Sequence, residues 1–265
     1  MEKLTINKKT PISYYGGKQT MLKHLLPLIP EHTVYTECFA GGAAMLFAKQ
    51  PSPVEVINDL NSELINFYWA ATVYYDRLKI EIDKTLHSRG VYEHASYIYN
   101  HPTFFDPIQR AWALWVLTKV TFASRIDGSF GFDKSKGGMT TKLHNAKDAF
   151  TQELVSRLER VTIEREDALK VIKRFDTEAA FHFVDPPYIN SECGHYSGMF
   201  THTNLIALLE LLSAIKGKFI LTMYPHEDID LYAQKNGWTI KRVERTISSS
   251  RVGRKKKEEW IVMNY

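Results

Sequence analysis

The stretch Phe183-Val184-Asp185-Pro186-Pro187-Tyr188 closes a run, Ala179-Ala180-Phe181-His182, that has the composition of a buried strand. Neither Pro186 nor Pro187 has an N–H to give to a ladder, and both stiffen the backbone, so strand pairing is expected to stop here. The Asp185 carboxylate, the Pro186 carbonyl and the Tyr188 ring are then expected to project from one rigid turn at a sheet edge. Two acceptors and one ring face suit a flat heterocycle that carries an amino group. The plainer reading is a turn that only ends a strand.

Upstream, Thr33-Val34-Tyr35-Thr36-Glu37-Cys38-Phe39 alternates and is β-branched enough for a first strand, and it runs into Ala40-Gly41-Gly42. Residues 43–48 read as a short helix and Pro53–Ile57 as a second strand ending at Asn58-Asp59, after which Asn61 or Ser62 caps a helix through Trp69. Strand, glycine turn, helix, strand, acid is the opening of a doubly wound α/β sheet. Before it, Tyr14-Tyr15-Gly16-Gly17-Lys18 is a glycine turn leading into an amphipathic helix (Met21, Leu22, Leu25, Leu26).

The alternation breaks over residues 71–150, which read as helical, aromatic-rich and finally irregular, with a Gly- and Lys-rich loop over 124–142. It resumes with a helix over 146–158, a strand at Val161–Ile163, the strand before Asp185, a helix over 203–215, a strand at Phe219–Met223 and a helix over 227–235. Two last strands, about 238–246 and 259–264, are joined by a short basic stretch and are expected to form an antiparallel hairpin. The expected architecture is an α/β sheet domain (1–70 and 151–265) interrupted by a mainly helical insertion (71–150).

Length and composition bound the class. A chain of 265 residues with 44% hydrophobic and 24% charged residues buries a full core. Its formal net charge of +4 is only a mild lean toward polyanions. With Cys38 and Cys193 as the only cysteines, neither a disulfide framework nor a cysteine-built zinc site is expected, and a reducing cytoplasm is. No apolar run approaches the roughly 20 residues of a membrane span, and Met1 to Pro11 has no signal-peptide core. The ten histidines show no metal spacing; His24, His87 and His226 read as surface residues, and no metal is expected.

Gly41 at a strand's C-terminal end lets a ligand approach the backbone, and Asp59, 18 residues on (59 minus 41), stands where an acid accepts hydrogen bonds from ribose hydroxyls. The missing third glycine argues against a dinucleotide pyrophosphate and for a nucleoside ligand without phosphates, S-adenosylmethionine foremost. Plain turn chemistry is the competing reading. Asp167 ends a third segment whose tip lies beside the first two in a doubly wound sheet. It either reaches the cofactor's adenine or is a surface acid at a helix N-terminus. Cys38 reads as a small buried apolar group rather than a nucleophile.

Four ordered motifs, Tyr14-Tyr15-Gly16-Gly17-Lys18, Glu37-Cys38-Phe39-Ala40-Gly41-Gly42, Asn58-Asp59-Leu60-Asn61 and Asp185-Pro186-Pro187-Tyr188, resemble those of the DNA adenine methyltransferase (Dam) family. Residues 245–249 and 254–259 resemble that family's last hairpin, and the likeness covers about 1–70 and 150–265. It implies a Rossmann-like, S-adenosylmethionine-dependent methyltransferase sheet with an antiparallel last strand. Tyr14 and Lys18 match the N-terminal cofactor-binding pair, Glu37, Phe39 and Gly41 fall in the next cofactor-side motif, and Asp59 matches the ribose-binding acid. Asp185, which also borders the cofactor, matches the catalytic acid, with Pro186 beside it; Tyr188 matches the ring that stacks on the target adenine. The resemblance implies methylation of the N6 amino group of a flipped-out adenine in double-stranded DNA by a cytoplasmic, bacterial or phage-encoded enzyme. It is expected to act as a monomer that can pair transiently on DNA, with no membrane partner.

The insertion is expected to recognise the target, with Lys119, Arg125, Lys134, Lys136, Lys142 and Lys147 as candidate phosphate contacts. Ser124-Arg125-Ile126-Asp127-Gly128-Ser129-Phe130 partly resembles the family's recognition hairpin, with Arg125 the foremost reader. The Asn-Val-Pro-Phe-Gly run of GATC-specific relatives is replaced by Gly131-Phe132-Asp133-Lys134, so GATC specificity is not carried over. Arg251, Arg254, Lys255, Lys256 and Lys257 form the strongest basic run, whose place at the hairpin favours contact with the DNA backbone over the competing reading of a solvated loop. The competing functions are methylation of a protein glutamine or of RNA in the same fold, for which Asn rather than Asp185 is usual, and a catalytically silent DNA-binding module.

Overall fold

The computed structural model describes residues 9–133, 138–189, 200–246 and 256–265. In chain order its elements are α1 (Leu22–Leu25), β1 (Val34–Glu37), α2 (Ala44–Ala48), β2 (Val54–Asn58), α3 (Ser62–Val73), α4 (Tyr75–Lys84), α5 (Arg89–Asn100), α6 (Pro107–Val120), α7 (Met139–Ala149), α8 (Gln152–Ser156), β3 (Val161–Glu164), α9 (Ala168–Phe175), β4 (Ala180–Val184), α10 (His202–Leu212), β5 (Lys218–Met223), α11 (Glu227–Asn236), β6 (Thr239–Thr246) and β7 (Lys256–Met263). No helix among the described residues is long and apolar enough to cross a membrane.

The strands form one seven-stranded sheet in the order β3-β2-β1-β4-β5-β7-β6. β1 pairs in parallel with β2 and β4, and β4 with β5, whereas β7 runs antiparallel to both β5 and β6. The chain thus builds outward in one direction from β1 through β3 and then, from β4 onward, in the other. Such a reversal is the topological switch point of an open α/β sheet, and ligands bind beyond the strand C-termini at that point. Register sets Glu37 opposite Phe183, so the residues following β1 and the Asp185 corner leave the sheet side by side.

Packing groups the chain into two compact units, Met1–Leu28, Ala40–Gln50 and Asp59–Arg165 in the first, Ile29–Phe39, Pro51–Asn58 and Glu166–Tyr265 in the second. The second unit is organised by β4, every residue of which is buried. Val184, Phe219, Leu221 and Val262 from the strands join Val171, Ile172, Leu205, Leu208, Leu209 and Ile229 from α9, α10 and α11 in one apolar cluster. Strands covered on both faces carry continuous apolar runs rather than alternation. Asn58 ties the tips together, its amide donating to the Cys38 carbonyl at 3.0 Å and the Glu166 carbonyl at 2.9 Å.

The first unit is organised by α6, which is apolar almost all round and accordingly buried along most of its length. Its start is written locally: Asp106 and Gln109 form a capping box and Pro107 takes the first helical position, where its missing N–H costs nothing. Arg110 on α6 grips Glu63 in the first turn of α3 with two hydrogen bonds, 2.9 and 2.6 Å long.

One expected element is corrected. The helix read over 146–158 is two helices, because the chain turns at Phe150 and Thr151. The Phe150 ring is buried against Tyr75 (centroids 5.7 Å apart, planes 16° apart), and the Thr151 hydroxyl caps α8 by accepting from the Leu154 N–H. Burying a large ring and gaining a cap outweigh continuing a helix at this point.

Candidate active site

In the second unit the strand stops at Val184, and the next residues form the corner read from the sequence. Thr222, fully buried on β5, donates its hydroxyl to Asp185 Oδ1 at 2.6 Å. Pro186 is buried. Tyr188 donates its hydroxyl to Oε1 of Glu259 at 2.7 Å, and Glu259 is itself wholly buried on β7. The Tyr188 ring meets Tyr224 edge-on with centroids 4.5 Å apart, and the Lys257 amine lies 4.6 Å from the Tyr224 centroid. Burial, then the charges of Asp185 and Glu259, push the Tyr188 phenol well above its ordinary range, so it stays a proton donor. The corner is thus held at its acid and at its ring by two side chains from neighbouring strands.

At the end of β1, Glu37 is buried and accepts from the Tyr35 hydroxyl at 2.9 Å. Phe39 packs on the apolar cluster and meets Phe200 edge-on at 6.2 Å. Cys38 is buried, and burial pushes its thiol up to about 12. It packs within the apolar cluster as a small core group. Asp167 caps α9, one oxygen accepting from the Leu169 and Lys170 N–H groups, and it is exposed.

In the first unit the glycine turn and the acid meet. Gly41 has a φ of +48°, a left-handed value that favours glycine, and a Cβ there would come within 3.1 Å of Tyr14 Cδ1. The Gly41 N–H donates to one oxygen of Asp59 and the Asn61 N–H to the other, both at 3.0 Å. Two backbone donors therefore aim the carboxylate. Asn61 caps α3 with its carbonyl and donates its amide to the hydroxyls of Tyr14 (3.3 Å) and Tyr99 (3.1 Å), while Tyr68 donates to the Gly41 carbonyl at 2.5 Å. Gly16, at φ +78°, makes the turn in which the Gly17 N–H reaches the Tyr14 carbonyl at 3.0 Å. Lys18 is buried, its amine donating to the Gly16 carbonyl at 3.0 Å. The structure thus brings Tyr14, Gly41 and Asp59 together and adds Asn61, Tyr68 and Tyr99. Of these, only Asn61 had a local signal, as a helix cap.

The DNA-contact candidates divide. Lys134, Arg251, Arg254 and Lys255 lie outside the described residues, and Lys256 opens β7 opposite Thr246. The segment after α6 is a closed turn: Thr121 bridges Phe130, the Gly131 N–H reaches the Val120 carbonyl at 2.8 Å, and Ala123 and Ser124 have φ values of +57° and +56°. Tyr92 and His87 hold its carbonyls at Gly128 and Gly131, 3.1 and 3.0 Å away. Arg125 lies on this turn and pairs with Asp127 at 3.2 Å. Lys119 corrects its reading as a surface phosphate contact. Its amine donates inward to Ser13 Oγ at 2.9 Å, and burial lowers its pKa to about 8.

A largely parallel sheet with a switch point, an antiparallel final hairpin and an acid–Pro–Pro–aromatic corner beyond β4 is the Rossmann-like fold of the methyltransferases. The profile of the D12 class N6 adenine-specific DNA methyltransferases matches residues 14–248, and the chain belongs to that family of DNA-modifying enzymes. The Type II methyltransferase M1.LlaDCHI of Lactococcus lactis subsp. cremoris is 26% identical over 291 residues, an overlap of 100% of this chain and 98% of the relative. Among solved structures, precorrin 8w decarboxylase of Methanobacterium thermoautotrophicum superposes over 92% of this chain and 87% of its own with a TM-score of 0.38 and 11% identity, a likeness too distant to inform the site.

Proposed function

We propose that the chain methylates the N6 amino group of an adenine flipped out of double-stranded DNA, with S-adenosylmethionine as donor. The observation that carries this reading is the Asp185 corner, fixed by Thr222 at 2.6 Å and by Glu259 at 2.7 Å. An adenine amino group is a poor nucleophile because its lone pair is delocalised into the ring. The Asp185 carboxylate and the Pro186 carbonyl accept its two N–H hydrogens, which localises that pair, and the Tyr188 ring stacks on the base. Preorganised acceptors that need not move during reaction supply most of the barrier reduction. Extracting the base from the duplex costs a few kcal/mol, which stacking on Tyr188 partly offsets.

The cofactor supplies an electrophilic sulfonium methyl group. The residues fit it: Gly41 offers a backbone a Cβ would crowd, and Asp59 is a carboxylate aimed by two amides, suited to a ribose diol. By the family resemblance, Tyr14 and Lys18 in the first unit, and Glu37, Phe39, Asp167 and Asp185 in the second, are the further cofactor-binding candidates. The closed turn carrying Arg125 fits a recognition element, since rigid anchoring of a strained tip keeps a side chain in one place to read a base or phosphate. Lys134, Arg251, Arg254, Lys255 and Lys256 serve the phosphate backbone, so binding falls steeply with salt.

Asp185→Ala tests the assignment. Incubated with plasmid DNA and radiolabelled cofactor, the variant loses methyl transfer while retaining most of its DNA affinity; transfer at a near wild-type rate would refute it. Mapping N6-methyladenine on the wild-type product returns the recognition sequence in the same experiment.

A further inference from the structure

We propose that His202, His226 and Asp228 form a divalent transition-metal site that joins the N-termini of α10 and α11. These residues lie 24 and 26 positions apart (226 minus 202, 228 minus 202), which is why no short spacing betrays them, yet one ligand atom from each lies within 4.8 Å of the other two. Asp228 Oδ2 is the shared point, 2.8 Å from His202 Nε2 and 3.2 Å from His226 Nδ1. The two imidazole rings face each other with centroids 5.8 Å apart and planes 30° apart.

His226 Nδ1 also accepts the Asp228 backbone N–H, at 3.3 Å, so an ion held at that nitrogen takes the place of this capping bond. A cation would draw the carboxylate and the two imidazole nitrogens, already clustered, to one point. Ligands at about 2.0–2.1 Å from a tetrahedral zinc ion stand roughly 3.4 Å apart, close to the separations seen, so small side-chain shifts suffice. Two imidazoles and a carboxylate suit Zn²⁺, Co²⁺ or Ni²⁺, with water as the fourth ligand. His202 is exposed, with 61% of its side chain in solvent, so an ion enters directly. The positive helix ends oppose a cation, but Glu227, Asp228 and Asp230 in the first turn of α11 offset them. Tyr224, which packs on Tyr188, lies two residues before His226, so the ion stiffens the corner that borders the Tyr188 ring.

Tag-free protein, stripped with chelator and dialysed, is titrated calorimetrically with Zn²⁺ beside His202→Ala, His226→Asn and Asp228→Asn. Asn keeps a capping side chain at 226, and 202 is exposed, so the variants retain their fold. The wild type binds one Zn²⁺ per chain, and each variant loses at least about ten-fold in affinity, the smaller loss known for removing even a ligand's supporting hydrogen bond. Co²⁺ gives intense tetrahedral visible bands that His202→Ala abolishes, and Zn²⁺ raises the unfolding midpoint of the wild type but not of that variant. Absence of chelator-sensitive zinc binding, or variants that bind as tightly as the wild type, overturns the site. Binding without a shift in midpoint overturns its role as a tether.

Discussion

Tyr188→Phe separates what the ring does from what the hydroxyl does. The ring stays, with its edge-on contact to Tyr224 at 4.5 Å, while the 2.7 Å bond to the buried Glu259 carboxyl is lost. A hydrogen bond to a charged acceptor contributes about 1.5–3 kcal/mol, and an acceptor left buried without its donor costs in the same range. A loss of about 2 kcal/mol lowers the unfolding midpoint of a protein this size by roughly 4–8 °C. Urea denaturation followed by tryptophan fluorescence gives the free energy directly. Replacing both partners, as Tyr188→Phe with Glu259→Leu, recovers part of the loss, because an apolar pair has no hydrogen bond to lose. On the activity side, Tyr188→Phe keeps its stacking face and retains methyl transfer, whereas Tyr188→Ala raises KM for DNA and lowers the 2-aminopurine fluorescence that reports the flipped base. If Tyr188→Phe unfolds within about 0.5 kcal/mol of the wild type, as surface changes do, the hydroxyl bond is not a support of the corner.

Asp59→Ala removes the acid aimed by the Gly41 and Asn61 amides and weakens S-adenosylmethionine binding by about 1.5–3 kcal/mol, measured calorimetrically, with DNA affinity unchanged. Arg110→Ala leaves the nearly buried Glu63 with the Ser62 hydroxyl in place of a guanidinium and destabilises the protein by about 3 kcal/mol in chemical denaturation; Arg110→Lys restores little, because an ammonium cannot reproduce the two-pronged contact. Lys119 has a folded-state pKa lowered to about 8 from 10.5, so below pH 8 the folded protein bears the full cost of a charged, desolvated amine. The unfolded chain holds more protons between those values, and stability therefore rises with pH from 8 toward 10.5. Lys119→Met is accordingly more stable than the wild type at pH 7, with an advantage that shrinks through that window; a pH-independent difference refutes the assignment.

The order of elements was readable because each is announced within a few residues. β-branched runs end in Gly41 or Asp59, and Asn61 sits before an apolar helix. The single merged helix over 146–158 shows the limit. A continuous helical composition does not say that Phe150 is drawn onto Tyr75, and Thr151 acts as a cap only because that ring has already turned the chain. Lys119 fails as a surface reading for a related reason. Its charge suggested solvent, but it lies on a helix buried along most of its length and its amine turns inward to Ser13.

The site shows the same division more sharply. Asp185, Pro186 and Tyr188 are contiguous, so one local reading finds them, but the groups that hold them come from 37 and 71 residues away. Glu259 is the instructive case. In an alternating strand the inward acid could be picked out by parity, but β7 lies between β5 and β6, and Trp260, Ile261, Val262 and Met263 are all buried. With both faces covered, period-two patterning carries no information about which of Glu258 and Glu259 turns inward. Pairing with β6 decides it: Glu259 stands opposite the buried Val243, whereas Glu258 stands opposite the exposed Glu244 and accepts from the Trp260 indole at 2.6 Å. A strand that buries a carboxyl among apolar neighbours needs a donor for it. Tyr188 supplies one, and the requirement runs both ways: the acid that would be costly in the core becomes the support that fixes the aromatic ring of the corner.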